Sequence, residues 1–458
     1  MKLIQIPFCF YPDTVGGTEI YVASLARLLK DEHGCDVLIA APGDRSENYA
    51  HHDLSVRRFA VSPEVADISE LYGDGDELAA QEFAKILEEE HPDLVHLHAF
   101  TRGVSLKIVR KAKERRIPVV FTYHTPTVTC TRGTMMRWGR IPCDGEMLGH
   151  RCTACTLHGL GTNRTAASAL ASMPKVGQGI LKKSSRSGGI WTALRMRELV
   201  EERHVATCAL LAEVDYIVAV CEWVRDVLLI NGVPADRITL CRQGIERAAL
   251  DEDGRSKMED GGGKAAPEQF TKERPLRLAY FGRLDPTKGV HVLIDALRLN
   301  LSLPVTLDVY GTAQGECGAA YATQLKKLAA DDPRIRFYSP VPADQVVGTI
   351  RNYDMLAVPS QLLETGPLVV LEALAAGVPV IGSNLGGIAE LVNEGVNGFL
   401  VNSSRAEAWY KKLTQLCSDS AALTKPHRSM RTPPTMSSVA QTIISLYQRL
   451  LAPLHASA

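Results

Sequence analysis

Short apolar runs alternate with amphipathic stretches along this chain, and the alternation is repeated on both sides of a polar, glycine-rich segment. In the first half, residues 3–6, 35–40, 94–97 and 119–122 are β-rich, with helical spacing at 77–90 and 104–115 between them. In the second, residues 276–280, 305–310, 335–338, 355–358 and 378–383 are the apolar runs, and 343–351 and 368–376 have helical spacing. A strand that is apolar throughout must be covered on both faces, and parallel neighbours need a crossover helix between them. The pattern predicts an α/β chain with two doubly wound parallel sheets, and 458 residues are enough for about two or three domains. The stretch at 251–274, DEDGRSKMEDGGGKAAPEQFTKER, lacks an apolar period and reads as a flexible connection or surface insertion. The expected division is a first lobe at 1–248, a linker at 249–274, a second lobe at 275–437 and a closing segment at 438–458. In that last segment Ile443, Ile444, Tyr447 and Leu450 share one helical face, suited to crossing back onto the first lobe.

The stretch with the most chemistry is SQLLETGPLVVLEALAAGVPVIGSNLGGIAELV, residues 360–392. A loop ending at Glu364 precedes Gly366-Pro367, read as opening a helix with Pro in its first position; Gly377 ends that helix and a buried strand follows. The N–H groups of Leu368 and Val369 then lie at the positive end of the helix, where a phosphate oxygen accepts from backbone alone. Glu372, one turn on, is a carboxylate able to accept from both hydroxyls of a ribose. Taken alone, either glutamate could equally be a solvated helix-end charge. Upstream, Gly282-Arg283-x4-Lys288-Gly289 follows a strand and supplies a planar guanidinium and a mobile ammonium.

Together, Gly282-Arg283-x4-Lys288-Gly289, Glu364-x7-Glu372-Ala373 and Gly386-Gly387-x2-Glu390 resemble the donor site of family 4 glycosyltransferases, retaining enzymes of the two-lobed GT-B fold. The resemblance runs from about residue 2 to about 402. It implies two Rossmann-like lobes with an interlobe cleft, a nucleotide-diphosphate sugar as donor and a hydroxyl on a glycan or lipid-linked glycan as acceptor. It implies that Arg283 and Lys288 stabilise the leaving diphosphate, that Glu372 holds the ribose, and that Glu364 with His124 orients the transferred sugar. Gly282, Gly311, Gly366, Leu368 and Val369 are placed by it around the donor. Thr365 stands where the family commonly has an aromatic, and Gln243 where it usually has Asn. Retention is expected through a front-face, oxocarbenium-like route that needs no metal or other cofactor for the chemistry.

In the first half, Val15-Gly16-Gly17-Thr18-Glu19 joins a strand to a helix. Glycines there let backbone approach a ligand, although an ordinary turn reads the same way. The resemblance assigns Gly16 and Gly17 to the donor phosphates and Glu19 to the acceptor side. His98 and His124 each follow a strand, where ligands of such sheets bind; the resemblance puts His124 at the donor sugar and His98 near the acceptor. Thr125 follows His124 where the family often has Asp or Asn. His96, inside its strand, reads as a core residue.

An insertion at about 128–197 carries two unusual features. Cys130, Cys143, Cys152 and Cys155 have the spacing C-x12-C-x8-C-x2-C, which suits a four-thiolate structural zinc site; free thiols, an iron–sulfur cluster or disulfides fit the same spacing. Arg164, Lys175, Lys182, Lys183, Arg186, Arg195 and Arg197 are interleaved with apolar residues and no acidic one, a pattern for peripheral contact with an anionic membrane or for a solvated loop.

A formal charge of −1 gives no overall pull toward nucleic acid. The start MKLIQIPFCFYP lacks the basic and apolar regions of a signal peptide, and no apolar run approaches the roughly 18 residues of a spanning helix. A cytoplasmic chain, at most peripheral at the inner face of the membrane, is the expectation. The rival readings are a GT-B sugar-nucleotide epimerase or phosphorylase, and a non-catalytic nucleotide-sugar or metal-binding protein. A dinucleotide oxidoreductase fits less well, because neither half has G-x-G-x-x-G after its first strand.

Overall fold

Parallel strands with helical crossovers build two units, Met1–Arg242 together with Ser438–Ala458, and Gln243–Ser437. The computed structural model describes every residue except 14–15, 66–67, 74, 174–188, 247–268, 331, 403, 420–422, 424–432 and 456–458. Lys175, Lys182, Lys183, Arg186 and most of the expected linker therefore lie outside the described residues.

In the first unit β1 (Lys2–Ile6), α1 (Gly17–Asp31), β2 (Asp36–Gly43), β3 (Glu47–His51), β4 (Leu54–Ala60), α2 (Glu77–Glu90), β5 (Leu94–Leu97), α3 (Leu106–Glu114) and β6 (Val119–Tyr123) follow one another. A small hairpin, β7 (Met136–Arg137) and β8 (Ile141–Pro142), leads to α4 (Gly149–Gly159), α5 (Arg164–Ser172), α6 (Gly189–Glu213), β9 (Tyr216–Ala219), α7 (Glu222–Ile230) and β10 (Ile238–Leu240). The sheet order is β10-β9-β6-β5-β1-β2-β4-β3. All pairs are parallel except β3 with β4. Strand order reverses at β1, between β2 and β5, so the loops after β1 and β5 diverge there. Ile4, Val95, Leu97 and Phe121 are fully buried between the sheet and its helices, which is why these strands read as mostly apolar runs.

The antiparallel β3–β4 hairpin is not visible in the apolar pattern. Its turn uses His52 at φ 52 instead of glycine, and β3 alternates between half-exposed and exposed residues, as an edge strand can.

The second unit contains β11 (Leu276–Arg283), α8 (Val290–Arg298), β12 (Val305–Thr312), α9 (Gly315–Ala329), β13 (Ile335–Tyr338), α10 (Val346–Ile350), β14 (Met355–Val358), α11 (Leu368–Ala375), β15 (Val380–Ser383), α12 (Gly386–Leu391), β16 (Gly398–Val401) and α13 (Ala406–Ser418). Its order, β13-β12-β11-β14-β15-β16, is parallel throughout. Leu278 and Tyr280 pack to one side with Leu293 and Trp409, while Ala279 and Leu356 pack to the other with Val370 and Ile388. The unit is tied off where Ile245 N donates to Pro434 O at 3.0 Å and Met436 N donates to Ile245 O at 2.8 Å. Phe270, inside the expected linker, is buried with the core of this unit.

The last helix, α14 (Met436–His455), belongs to the first unit from Ser438 onward. Tyr447 on it is fully buried and accepts from Gln5 Nε2 at 3.1 Å.

Candidate functional site

The order of the second sheet reverses between β11 and β14, and the loops after their carboxyl ends form the place where open α/β sheets take ligands. After β11, Asp285 caps a short turn, Pro286–Lys288, by accepting from Thr287 N at 2.8 Å. Gly289 then lies at φ 75, and a Cβ built on it would stand 2.0 Å from the carbonyl oxygen of Pro359. A residue without a side chain lets the Lys288 turn lie directly on the loop after β14. The contact is fastened by Gln361 N donating to Thr287 O at 2.6 Å. Gly289→Ala is expected to destabilise the chain by at least about 2 kcal/mol, from backbone strain and forced separation of the two loops. Chemical denaturation of the variant beside the parent chain measures it.

This contact brings together groups 76 positions apart. Lys288 Nζ donates to Glu364 Oε1 at 2.6 Å, and Ser360 Oγ donates to the same oxygen at 2.7 Å. The two side chains are 22% and 11% exposed. Burial pushes the Glu364 carboxyl up, but the Lys288 charge, its hydrogen bond, the bond from Ser360 and the Arg283 charge outweigh it and hold it below the usual carboxylate range. Arg283 is exposed and acts on Glu364 by charge. The main chain of Glu364 is held as well, its carbonyl accepting from Gly387 N at 2.6 Å at the start of α12.

Pro367 is the cap of α11, with φ −68 and ψ 112, and Leu368 is its first residue; the expectation of Pro inside the first turn is off by one. The N–H groups of Leu368 and Val369 open the helix without intrahelical acceptors, as first-turn groups do. Glu372 sits in the second turn, half-buried. Burial pushes its carboxyl up to about 7, and its side chain has no hydrogen bond or ion pair among the described residues. Gly366 lies against the side chain of Gln243. Gly311 has a packing role: a Cβ there would come within 2.3 Å of the Leu284 side chain. Gly282, at the end of β11, lies beside the ring of Tyr280. Two cations, a half-buried helix N-terminus and two carboxylates of opposite pKa tendency thus share one end of the sheet. Such a set can neutralise a diphosphate and grip a diol.

In the first unit His98 follows β5 and His124 follows β6, with His98 Nδ1 and His124 Nε2 3.1 Å apart. Both are buried, and burial drives His98 well below the ordinary range and His124 down to about 3, so both are neutral. Gly16 and Gly17 stand at the start of α1, where Glu19 turns back to accept from Gly16 N at 2.8 Å. That bond makes Glu19 a helix cap. His96 is a satisfied core residue, bonded through both ring nitrogens to Tyr447 and Thr122.

The cysteine tetrad is not gathered on one point. Cys130 is near enough to Cys143 and Cys152 to help push both thiols up, Cys152 reaching about 11 chiefly through burial. Cys155 Sγ is engaged elsewhere, accepting from Trp138 N at 3.3 Å. Among the described residues no three His, Cys, Asp or Glu side chains are grouped to hold a metal ion, and all eleven cysteines are free thiols. No disulfide joins any of the four in this structure. Cys152 and Cys155 lie one turn apart on α4, with Cys155 turned to the Trp138 backbone.

The described cations of the basic insertion are held internally. Arg164 lies over the Trp138 ring at 5.6 Å, Arg195 pairs with Glu198 at 3.9 Å, and Arg197 bonds Glu201 at 3.1 Å. Among the described residues no helix is long and apolar enough to cross a membrane. Sequence reasoning did not give Ser360 or Gln361 a role, since a polar residue in a loop has no pattern of its own; distance to Glu364 and to the Lys288 turn is what marks them.

A family model described as glycosyl transferases group 1 matches residues 264–432, and one described as a glycosyl transferase 4-like domain matches residues 16–244. Curated relatives include the D-inositol 3-phosphate glycosyltransferase of Corynebacterium urealyticum, 34% identical over 149 residues covering 31% of this chain and 35% of the relative. That of Nocardia farcinica is 29% identical over 225 residues, covering 47% of this chain and 48% of the relative. The chain thus spans about a third to a half of the length of these relatives. Among solved structures it is similar to Anabaena HepE in complex with UDP-glucose, with 17% identity, a TM-score of 0.59 and 100% of both chains covered. It is also similar to the sucrose-phosphate synthase of Thermosynechococcus elongatus, with 17% identity, a TM-score of 0.64, and 99% and 100% covered. These likenesses establish the GT-B fold. With one family model on each of its two units, the chain belongs to the group 1 glycosyl transferases, with a glycosyl transferase 4-like first unit.

Proposed function

We propose that this chain transfers a sugar from a nucleotide-diphosphate sugar to a hydroxyl of a glycan or lipid-linked glycan, with retention at the anomeric carbon. The observation that carries the reading is the Lys288–Glu364 contact at 2.6 Å, within the field of Arg283, at the switch point of the second sheet. The UDP and UDP-glucose held by the similar HepE structures support a donor of this class. Arg283, Lys288 and the N–H groups of Leu368 and Val369 take the diphosphate, Glu372 accepts from the ribose hydroxyls, and Glu364 orients the sugar. In the first unit His124 serves the sugar, His98 the acceptor side, and Gly16 and Gly17 allow close backbone approach to the donor phosphates.

In the reaction the bond from the anomeric carbon to the phosphate oxygen breaks, and a bond from the acceptor oxygen forms on the same face. The acceptor proton passes to the leaving phosphate oxygen. Glu364 is suited to stabilise positive charge at the sugar and poorly suited to attack it, because Oε1 already accepts from Lys288 and Ser360. Two cations and a helix N-terminus neutralise the diphosphate, so transfer is expected to survive a chelator. Following the anomeric proton of the first-formed product by NMR tests the reading: the donor's configuration is expected. An inverted product overturns the retaining route, and conversion of the sugar nucleotide to its epimer without acceptor product would mark an epimerase.

A further inference from the structure

Six buried side chains of the first unit form one unbroken hydrogen-bonded chain. Thr122 Oγ1 lies 2.7 Å from His96 Nε2, and His96 Nδ1 contacts the Tyr447 hydroxyl. Gln5 Nε2 donates to that hydroxyl at 3.1 Å, Gln5 Oε1 lies 2.7 Å from His98 Nε2, and His98 Nδ1 lies 3.1 Å from His124 Nε2. None of the six is more than 4% exposed. The members come from β1, β5, β6, the loops after β5 and β6, and α14, so the contact depends on the last helix of the chain returning to the first sheet.

The proton order follows from one amide. An amide oxygen only accepts, so the hydrogen between Gln5 and His98 is on His98 Nε2. A neutral imidazole has a single N–H, so His98 Nδ1 accepts and the hydrogen toward it is on His124 Nε2. His124 Nδ1 is then its acceptor nitrogen. In the other direction the Gln5 amide donates to Tyr447, whose own hydrogen goes to His96 Nδ1, and His96 Nε2–H donates to Thr122. Burial keeps all three rings neutral, so no extra proton interrupts the order.

We propose that Tyr447 and Gln5 are positioning residues for sugar transfer: acting through His98, they hold His124 as the Nε2–H tautomer, with Nδ1 turned to acceptor duty toward a sugar hydroxyl. The proposal rests on the reading of His124 as a residue that meets the sugar. It gives α14 a part in the chemistry of a unit whose other members lie more than 300 positions earlier, Gln5 and Tyr447 being 442 positions apart.

The test uses the full chain labelled with 15N-histidine, unliganded, together with Tyr447→Phe and Gln5→Met. Tyr447→Phe keeps the buried ring and removes only the hydroxyl; Gln5→Met keeps the length and removes both polar groups. In the parent chain, long-range 1H–15N spectra are expected to show His96, His98 and His124 as Nε2–H. In each variant His98 and His124 are expected to show both tautomers, with kcat for transfer reduced about tenfold, the size typical of lost support to a ligand-contacting histidine. Donor KM is expected to change less than twofold. An Nδ1–H pattern in the parent, or an unmixed Nε2–H pattern for His124 in both variants, overturns the proposal. Mixed tautomers with undiminished kcat overturn it too, by showing that the relay exists while His124 does not act on the sugar. The spectra need no substrate, so they separate failure of the relay from failure of the transferase reading.

Discussion

Lys288→Ala is expected to lower sugar transfer by about 10³-fold, because on the proposed reading it removes the charge that meets the departing diphosphate. It should also destabilise the chain by about 3 kcal/mol, since Glu364 would keep a buried carboxylate with its nearest cation gone. In the parent chain Lys288 donates to Glu364 at 2.6 Å with the pair mostly buried. The two effects have different causes and can be separated. In Lys288→Ala/Glu364→Gln the stranded charge is neutral, so most of the lost stability is expected to return while transfer stays low. Denaturant unfolding and initial-rate measurements on the two single variants and the double variant form the cycle. Recovery of both properties in the double variant would mean that Lys288 serves only Glu364.

Glu372→Gln is expected to make the unliganded chain more stable at pH 8, by up to about 3 kcal/mol, while weakening its hold on the donor. The carboxyl is raised from 4.5 to about 7 by burial. A group whose folded pKa is raised contributes stability that is complete below about 4.5 and is lost as pH rises through about 7. The gain from glutamine should therefore vanish near pH 4 and be full at pH 8. Donor binding has the opposite linkage. A ribose diol donates to the charged carboxylate and favours it, so binding should expel about half a proton at pH 7 and strengthen with pH up to about 7. Calorimetric titrations in buffers of different ionisation enthalpy measure the proton count. Equal stability of the two chains at pH 8, or no proton release, would remove Glu372 from the ribose.

The architecture was readable because each central strand is buried on both faces and is therefore mostly apolar, its few polar members, such as Gln5, His96 and Thr122, being bonded to one another or to Tyr447. Leu94–Leu97 and Glu77–Glu90 were located to the residue for that reason, and because Asp76 caps α2 by accepting from Ala79 N. The β3–β4 hairpin was missed because its turn residue, His52, adopts a positive φ without glycine. At the site, charged residues in loops around a helix start were legible, since anion chemistry needs those residue types there. Their partners were not. Ser360 and the backbone contact at Gly289 depend on which two loops the sheet order makes adjacent. Tyr447 read as one apolar position among several on a closing helix; its hydroxyl acquires meaning only beside Gln5 and His96. The contact of Cys155 Sγ with Trp138 N was likewise invisible in the cysteine spacing.

The most direct measurement is equilibrium titration of the full chain with UDP, comparing the parent with Arg283→Ala, Lys288→Ala and, as a control in the first unit, His98→Ala. If the carboxyl ends of β11 and β14 hold the diphosphate, Arg283→Ala and Lys288→Ala each weaken binding at least about tenfold, the scale of one charge-assisted hydrogen bond, and His98→Ala leaves it unchanged. Unaltered affinity in both second-unit variants would contradict a diphosphate site at that end of the sheet.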